Sequence, residues 1–332
     1  MAKLGVGIIG SGHAGSVHAQ VLSADSRIKL VGVADMHRDT AEALAAKHGA
    51  EPYEDHKALI DEDSVQAVFI TSPNVLHAEH ALYAIRHGKN VFSEKPMATG
   101  TADAKRIIDA LRESPAKYQV GHNRRFWPVY KKVKSMIETR ALKPYMASAR
   151  IIRGELKRPS WVGDPKISGG FIYESIIHVL DALRWLMGDV TEVYAFGKAN
   201  VYESQVNDIA MLLRFKEDRF ASLASSGHTS WITPVERVEL YGDHSSVVIE
   251  EPWKFAHSPG LDVEAVTYDF SQLSRGTTGW GWGFAEEDRF FIDSIINDTR
   301  AVVDELEGYK AVEIGEACYR SINSGKPVRL PL

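Results

Sequence analysis

The sequence predicts an α/β Rossmann domain, a doubly wound parallel sheet, followed by an α+β domain with a large, mostly antiparallel open sheet. In the first third, short β-branched segments alternate with amphipathic helical patterns, which is typical of a parallel sheet covered on both faces. A G-x-G-x-x-G segment directly follows the first of these strands. After about residue 122, several strands follow one another with little helix between them. Consecutive strands joined by short turns indicate an antiparallel sheet.

The first domain is predicted to span residues 1–122. Its predicted strands are Leu4–Ile9, Ile28–Ala34, Gln66–Ile70, Asn90–Ser93 and Lys117–Val120. The helices predicted between them are His13–Ser23, Thr40–His48, Leu76–His87 and Ala102–Arg112. Since crossovers between parallel strands are right-handed, this order predicts a doubly wound nucleotide-binding domain.

The second domain is predicted to span residues 123–332. Its predicted helices are Pro128–Thr139, Phe171–Met187, Ala285–Asn297 and Lys310–Ser321. Its predicted strands are Met146–Ile152, Thr191–Phe196, Asp208–Phe215, Phe220–Ser225, Glu236–Tyr241 and Ser246–Glu250. An open sheet built from these strands would expose apolar residues of segments such as Ile209–Leu213 and Val235–Leu240, which favours a homo-oligomer.

Composition restricts the class of protein. The 332 residues are 44% hydrophobic and 25% charged, as in an ordinary globular protein. Cys318 is the only cysteine, which excludes internal disulfides, zinc fingers and iron–sulfur clusters. The net charge of −5 disfavours nucleic acid and anionic membranes as partners. Residues 5–24 lack formal charge but are too polar for a membrane span or a signal peptide, so a soluble, cytoplasmic protein is expected.

The segment Gly10-Ser11-Gly12-His13-Ala14-Gly15 reads G-x-G-x-x-G between a predicted strand and a predicted helix. Its three glycines permit a tight turn, close approach of a pyrophosphate, and packing of the helix on the strand. The N–H groups at the helix N terminus would hold the anion. Asp35 lies 20 residues after Gly15, where a carboxylate accepts the ribose hydroxyls of NAD. NAD is therefore predicted, although Arg38 could instead hold the 2′-phosphate of NADP.

Three further segments carry a family resemblance. Thr71-Ser72-Pro73-Asn74, with His77, follows one predicted strand, and Glu94-Lys95-Pro96 follows the next. Ser168-Gly169-Gly170 precedes the predicted helix Phe171–Met187. Together with the glycine segment, these make the chain resemble the glucose–fructose oxidoreductase / inositol dehydrogenase / rhizopine-catabolism (Gfo/Idh/MocA) family along essentially its whole length.

The resemblance implies NAD(P)-dependent oxidation of a secondary alcohol on a sugar, cyclitol or related polyol, by a homodimer or homotetramer. Lys95 takes the position of the family's catalytic lysine, and His178 that of its proton-transfer histidine. Glu174, also expected at the catalytic site, falls where many members have aspartate. Further cofactor contacts are implied for Thr71, Ser72, Asn74, His77, Glu94, Lys95 and Arg124. Substrate contacts are implied for Lys95, Arg124, Trp161, Glu174, His178 and Trp231.

The chemistry of these residue types suits alcohol oxidation. Glu174 and His178 are four residues apart on a predicted helix and therefore project from one face. A histidine can accept the hydroxyl proton near neutral pH, and Lys95 can stabilise alkoxide character. The glycine pair before the helix would let its backbone run close to the nicotinamide ring or the substrate. Trp161 and Trp231 either stack on a sugar or fill core and subunit contacts.

Two other functions fit the same pattern. An NAD-dependent glycosidase acting by transient oxidation and elimination would not accumulate NADH. A non-catalytic NAD-binding regulator that senses a sugar would not need Lys95 and His178, whose presence argues against it. His77 and His80 form an H-x-x-H pair, but no third ligand at a recognised spacing accompanies them, so no metal is predicted.

Overall fold

The computed structural model describes residues 3–157, 160–230, 235–274 and 282–332, apart from the side chains of Glu155, Leu273 and Ser274. The chain divides into two compact units. The first contains residues 3–122 and 284–312, and the second contains the remaining described residues. Residues 284–312 thus belong to the first unit, whereas the sequence predicts them in the second domain. The reason is hydrophobic packing, because Phe291 and Ile292 are buried in the core of the first unit.

The first unit contains a fully parallel sheet, six-stranded within the described residues. Its strands are β1 Leu4–Ile9, β2 Ile28–Ala34, β3 Glu51–Tyr53, β4 Ala67–Ile70, β5 Asn90–Glu94 and β6 Tyr118–Gly121. The order 3-2-1-4-5-6 is that of a doubly wound dinucleotide-binding fold, in which ligands bind beyond the carboxyl ends of the strands. The helices between the strands are α1 His13–Ala24, α2 Arg38–His48, α3 His56–Asp61, α4 His77–Arg86 and α5 Thr101–Arg112.

The second unit is built on a mixed sheet of nine described strands. They are β7 Met146–Ile152, β8 Val190–Lys198, β9 Asp208–Phe215, β10 Phe220–Ser226, β11 Glu236–Tyr241, β12 Ser246–Glu250, β13 Lys254–Ser258, β14 Val266–Asp269 and β15 Val328–Arg329. The order is 14-13-12-11-7-10-9-8-15, in which β7 and β10 are parallel and the other pairs antiparallel. The predicted fold class, a Rossmann domain followed by an α+β domain with a mostly antiparallel open sheet, is confirmed.

The helices of the second half of the chain are α6 Pro128–Glu138, α7 Pro165–Ser168, α8 Ile177–Met187, α9 Phe284–Ile296 and α10 Glu305–Ser324. Helix α9 belongs to the first unit, and both units contain residues of α10. Within the described residues, no helix combines the length and the apolar character that crossing a lipid bilayer requires.

The nine-stranded sheet packs one face on the hydrophobic core and exposes the other. Along β9, Ile209, Met211 and Leu213 are buried in the core, whereas Leu212 is 54% exposed. The expectation that Ile209–Leu213 supplies exposed apolar residues therefore holds for Leu212. It is wrong for Ile209, Met211 and Leu213. Successive side chains of a strand point to opposite faces, which is the physical reason.

Candidate active site

The glycine turn after β1 has the geometry of a phosphate-binding loop. Gly10 has a φ of 106°, and a β-carbon there would lie 2.6 Å from the backbone of Thr71. A β-carbon on Gly15 would lie 2.0 Å from the carbonyl oxygen of Gly10, so α1 packs directly on the turn. At Gly12, by contrast, none of the described atoms lies within 4 Å of that position. The N terminus of α1 is therefore open, and its outward N–H groups fit a pyrophosphate.

Asp35 follows β2 and is hydrogen-bonded to this turn. Its Oδ2 accepts the backbone N–H of Ser11 at 2.8 Å and the Ser11 hydroxyl at 2.7 Å. Its Oδ1 accepts the N–H of His37 at 2.9 Å. Burial opposes ionisation, but the hydrogen bonds from His37 and Ser11 outweigh it and lower the pKa of Asp35. A charged carboxylate beside the glycine turn fits the ribose hydroxyls of NAD.

Arg38, the alternative contact for a 2′-phosphate, is an exposed side chain that is already paired. It donates to Glu42 Oε1 at 2.7 Å and to Glu54 Oε1 at 3.0 Å. A phosphate at this position would have to compete with both carboxylates for the guanidinium.

The segment after β4 holds the turn in place. The Thr71 hydroxyl donates to the carbonyl oxygen of Gly10 at 2.7 Å. The Ser72 hydroxyl is hydrogen-bonded to His80 Nδ1 at 3.0 Å, and Asn74 is buried in a 3-10 turn. Burial, with the charges of neighbouring histidines, lowers the pKa of His80 to about 3, so this ring is neutral at physiological pH.

The Glu94-Lys95-Pro96 segment begins at the carboxyl end of β5. Glu94 is buried, and its Oε2 accepts the backbone N–H of Lys95 at 3.0 Å. The Lys95–Pro96 peptide bond is cis. The ring nitrogens of His77 lie 2.7 Å from the carbonyl oxygens of Pro96 and Ser72, so this ring joins the loops after β4 and β5. Lys95 is half-buried at the edge of the sheet where doubly wound folds bind their ligands.

In the second unit, Glu174 and His178 lie on one continuous helix that is not α-helical throughout. Ile172–Ile176 forms a π-helical turn that runs into α8, with the N–H of Ile177 bonded to the carbonyl oxygen of Ile172. Glu174 is half-buried in the π turn, and His178 is 8% exposed in the first turn of α8. The sequence predicts a plain helix here. Single π turns occur frequently at functional sites.

Asp181, one turn beyond His178, anchors this helix to the 3-10 turn Asn123–Phe126. Its two oxygens accept from Arg125 Nη2 at 2.6 Å and Nε at 2.8 Å. Both side chains are buried, 0% and 4% exposed. A bidentate ion pair of this kind fixes the position of α8 and hence of His178.

Gly170, the second glycine of the pair before the helix, lies close to a side chain of the second unit. Gly170 has a φ of 98°, and the atom near its missing β-carbon is the hydroxyl oxygen of Tyr319, at 2.3 Å. That oxygen accepts the N–H of Ile172 at 3.1 Å. Within the second unit, Gly170 is therefore required by Tyr319, which holds the start of the π turn.

Arg124, predicted to contact both cofactor and substrate, is buried among protein partners. Its Nη2 and Nε donate to Glu236 Oε2 at 3.1 and 3.3 Å, and its Nη1 donates to Asn123 Oδ1 at 2.9 Å. The guanidinium also stacks 4.5 Å from the ring of Trp127. These contacts identify a packing role in the second unit, and a ligand role for Arg124 stays a prediction.

Of the two tryptophans proposed to stack on a sugar, Trp161 is described by the structure. It is half-buried in the 3-10 turn Ser160–Gly163 and packs against the core of the second unit, which favours the core alternative. Trp231 lies outside the described residues.

His18 is a buried polar residue that the sequence patterns do not single out. Its imidazole is fully buried, 2.8 Å from Asp288 and 3.3 Å from Glu94. A weak signal is present, because His18 lies four residues before Leu22 on the buried face of α1, where a histidine needs polar partners.

These features define a two-domain protein whose first domain is built to bind a dinucleotide. A family model described as "Oxidoreductase family, NAD-binding Rossmann fold" matches residues 4–122, and one described as "Oxidoreductase family, C-terminal alpha/beta domain" matches residues 134–330. The chain therefore belongs to the Gfo/Idh/MocA family of oxidoreductases, and its first domain is an NAD-binding Rossmann domain. The family resemblance and the NAD prediction are confirmed.

Named relatives match nearly the whole chain. The myo-inositol 2-dehydrogenase of Thermotoga maritima is 27% identical over 98% of this chain and 98% of its own. The scyllo-inositol 2-dehydrogenase (NAD(+)) of Bacillus subtilis is 27% identical over 99% of this chain and 95% of its own. Levoglucosan dehydrogenase, solved in complex with NADH and levoglucosan, shares the fold with a TM-score of 0.91 at 22% identity, covering 99% of this chain and 100% of the other.

Proposed function

We propose that this oxidoreductase is an NAD-dependent dehydrogenase that oxidises a secondary alcohol of a sugar, cyclitol or related polyol. The observation that carries the proposal is the carboxyl edge of the first sheet. This edge presents an open helix N terminus after β1, a charged Asp35 after β2, and Lys95 after β5. Relatives that match nearly the whole chain are named inositol dehydrogenases, which supports a polyol as the substrate class.

We propose NAD rather than NADP as the working cofactor. The N terminus of α1 would hold the pyrophosphate, and Asp35 would accept the ribose hydroxyls. The negative charge of Asp35 opposes a 2′-phosphate, and Arg38 is already paired with Glu42 and Glu54. When bound, the nicotinamide supplies the hydride acceptor that alcohol oxidation needs.

We assign transfer of the alcohol proton to side chains of this protein. His178 would accept the proton of the alcohol as a general base. Lys95 would donate a hydrogen bond to the alcohol oxygen and stabilise its developing negative charge. Glu174, one helical turn before His178, would bind a neighbouring substrate hydroxyl. The ion pair between Arg125 and Asp181 supports this assignment, because it holds the helix of His178 rigidly.

A substrate screen tests the proposal directly. The purified protein is incubated with NAD, or separately with NADP, and a panel of cyclitols, sugars and anhydrosugars. Formation of NADH or NADPH is followed by absorbance. We expect at least one polyol to yield NADH in proportion to the substrate consumed. A glycosidase would instead release a sugar without net NADH, and a regulator would bind NAD in calorimetry without turnover. Either result would contradict the proposal.

A further inference from the structure

A buried series of polar contacts in the first unit ends at the segment that carries Lys95. His18 Nδ1 lies 2.8 Å from Asp288 Oδ1 and 3.0 Å from Oδ2. His18 Nε2 lies 3.3 Å from Glu94 Oε1. The other oxygen of Glu94 accepts the backbone N–H of Lys95 at 3.0 Å. His18 and Asp288 are 0% and 1% exposed, so bulk solvent does not reach this pair.

The geometry favours a protonated, cationic His18. Both ring nitrogens face carboxylate oxygens, and only the protonated imidazole can donate from both. Burial works against the charge, but the attraction of Asp288 and the hydrogen bonds to Asp288 and Glu94 outweigh it and raise the pKa of His18 to about 10. The rings of Phe69, Phe92 and Phe284 surround the imidazole at centroid distances of 5.0–5.3 Å.

A metal site is the competing explanation. Ligand atoms of His18, Glu94 and Glu287 all lie within 4.8 Å of one another. A metal-binding histidine must offer a lone pair. Both nitrogens of His18 instead lie within 3.3 Å of carboxylate oxygens, an arrangement that the protonated ring satisfies by donating from both, which favours the ion pair.

The carboxylate of Glu94 lies beside the backbone of the neighbouring strand. A β-carbon on Gly121 would lie 3.3 Å from Glu94 Oε2, so the backbone of β6 borders the carboxylate on one side. On the far side of Lys95, His77 Nδ1 lies 2.7 Å from the carbonyl oxygen of Pro96. Protein groups therefore hold the backbone both before and after the lysine.

We propose that His18 is a positioning residue for Lys95, acting through the Glu94 carboxylate that it holds against the Lys95 N–H. The inference rests on the role proposed for Lys95 and names the residue that positions this lysine. Without a hydrogen-bond donor near the Nε2 position of residue 18, the Glu94 carboxylate would lose one of the bonds that hold it, and its bond to the Lys95 amide would weaken. A displacement of about 1 Å in a reacting group costs about 10²-fold in rate.

Two conservative variants separate positioning from general stability. His18→Gln keeps an amide donor near the Nε2 position and can still bond Glu94. His18→Asn keeps a donor near the Nδ1 position and can bond only Asp288. Positioning predicts a fall in kcat of about 10²-fold for His18→Asn, a much smaller fall for His18→Gln, and little change in the KM for NAD. A purely structural role predicts losses of activity that follow the melting temperature.

Hydrogen exchange gives a readout that needs no substrate. Exchange is measured at the Lys95 amide. The next residue adds no exchange signal of its own, because Pro96 has no N–H. We expect this amide to exchange about tenfold faster, or more, in His18→Asn than in the unaltered protein. The control is Ile292→Val, which alters the core on the same helix as Asp288 and should leave the Lys95 amide unchanged.

The outcomes are distinct. Faster exchange at Lys95 together with a larger loss of kcat in His18→Asn than in His18→Gln supports the inference. Unchanged exchange at Lys95, or equal losses of kcat in the two variants, overturns it. Lys95→Ala is measured in parallel. Full turnover in that variant overturns the role proposed for Lys95, whatever the exchange data show about His18 and Glu94.

Discussion

Gly170 and Tyr319 are complementary in shape, because the tyrosine hydroxyl occupies the place that a β-carbon at residue 170 would need. The oxygen would lie 2.3 Å from that carbon, and it also accepts the N–H of Ile172 at 3.1 Å. The start of the π turn that carries Glu174 therefore depends on a glycine and a tyrosine that are 149 residues apart in the sequence.

Gly170→Ala should destabilise the second unit strongly. A non-glycine residue at a φ of 98° costs about 1–3 kcal/mol, and the contact with Tyr319 adds to this cost. The control is Gly188→Ala, at a φ of 100° with none of the described atoms within 4 Å of the new carbon. Urea unfolding should show the larger loss for Gly170→Ala, and Tyr319→Phe should recover part of it. Equal losses at the two glycines would show that the contact is unimportant.

Asp35 should determine the preference between the two cofactors. Asp35→Ser removes the acceptor of the ribose hydroxyls and the charge that opposes a 2′-phosphate. We expect the Kd for NAD to rise about tenfold or more, since a hydrogen bond to a charged group contributes about 1.5–3 kcal/mol, while the Kd for NADP changes less. Calorimetry measures both. Asp39→Ser, an equal change of charge in the first turn of α2, is the control. A preference that Asp35→Ser leaves unchanged would rule out the ribose contact.

The stability of the first unit should fall as the pH rises above neutrality because of His18. Its pKa is about 10 in the folded protein, against an ordinary value of 6.5. The folded state therefore binds more protons than the unfolded state between these values. The stabilisation is complete below about pH 6.5 and is lost as the pH approaches 10, at up to about 1.4 kcal/mol per pH unit.

Urea unfolding from pH 6 to pH 10 measures this slope in the unaltered protein and in His18→Gln. Asp288, Glu94 and Glu287 face the ring, and Lys95 and His77 lie next to Glu94. These groups are common to both proteins, so the difference between the two slopes isolates His18. Identical slopes would mean that His18 is not protonated in the folded state.

The exposed face of the nine-stranded sheet should mediate the homodimer or homotetramer that the family resemblance implies. Phe196, Leu212 and Phe220 are 61%, 54% and 50% exposed there, and apolar patches of this kind mark association surfaces. Leu212→Arg combined with Phe220→Glu should give a particle of 36.8 kDa in light scattering. Val302→Arg, at a comparably exposed apolar position of the first unit, should not change the mass. An unaltered protein that is already monomeric at micromolar concentration would reject the proposal.

The sequence predicts the buried strands better than the edges. The bounds of β1, β2 and β7 match the predicted ones, because short apolar runs in β1 and β2 and alternating buried positions in β7 are direct signals of a strand. The short edge strand β3 was not predicted. It has three residues, it contains Pro52, and among the described strands it pairs with β2 alone. It therefore shows neither a detectable period nor an apolar run.

The sequence likewise predicts some features of the candidate site and not others. The glycine turn and Asp35 were predictable because one supersecondary unit contains all of the signal. The contact between His18 and Asp288 joins residues 270 positions apart, and no local pattern reports such a pair. The π turn before His178 was not predictable either, because it differs from an α-helix by the register of a few hydrogen bonds.

The last prediction concerns the proton of the alcohol. Lys95→Ala and His178→Ala should each lower kcat by about 10²–10⁴, as the loss of general acid–base catalysis does. The Kd for NAD should change little in His178→Ala, because His178 is proposed to address the substrate. The double variant should be much less impaired than the product of the two single effects, since residues that act as a unit are not additive.

Steady-state kinetics on the polyol found in the screen, with saturating NAD from pH 6 to pH 9, measures these effects. Glu174→Gln should mainly raise the KM of the substrate if the carboxylate only binds a hydroxyl. A large fall in its kcat would instead show that Glu174 orients or charges His178, one turn further along the helix. His257→Ala and Lys117→Ala, which change the same residue types away from the candidate site, serve as controls. Near-normal turnover of His178→Ala across this pH range would exclude His178 as the base. A general base that has been removed should lower turnover at every pH in the range.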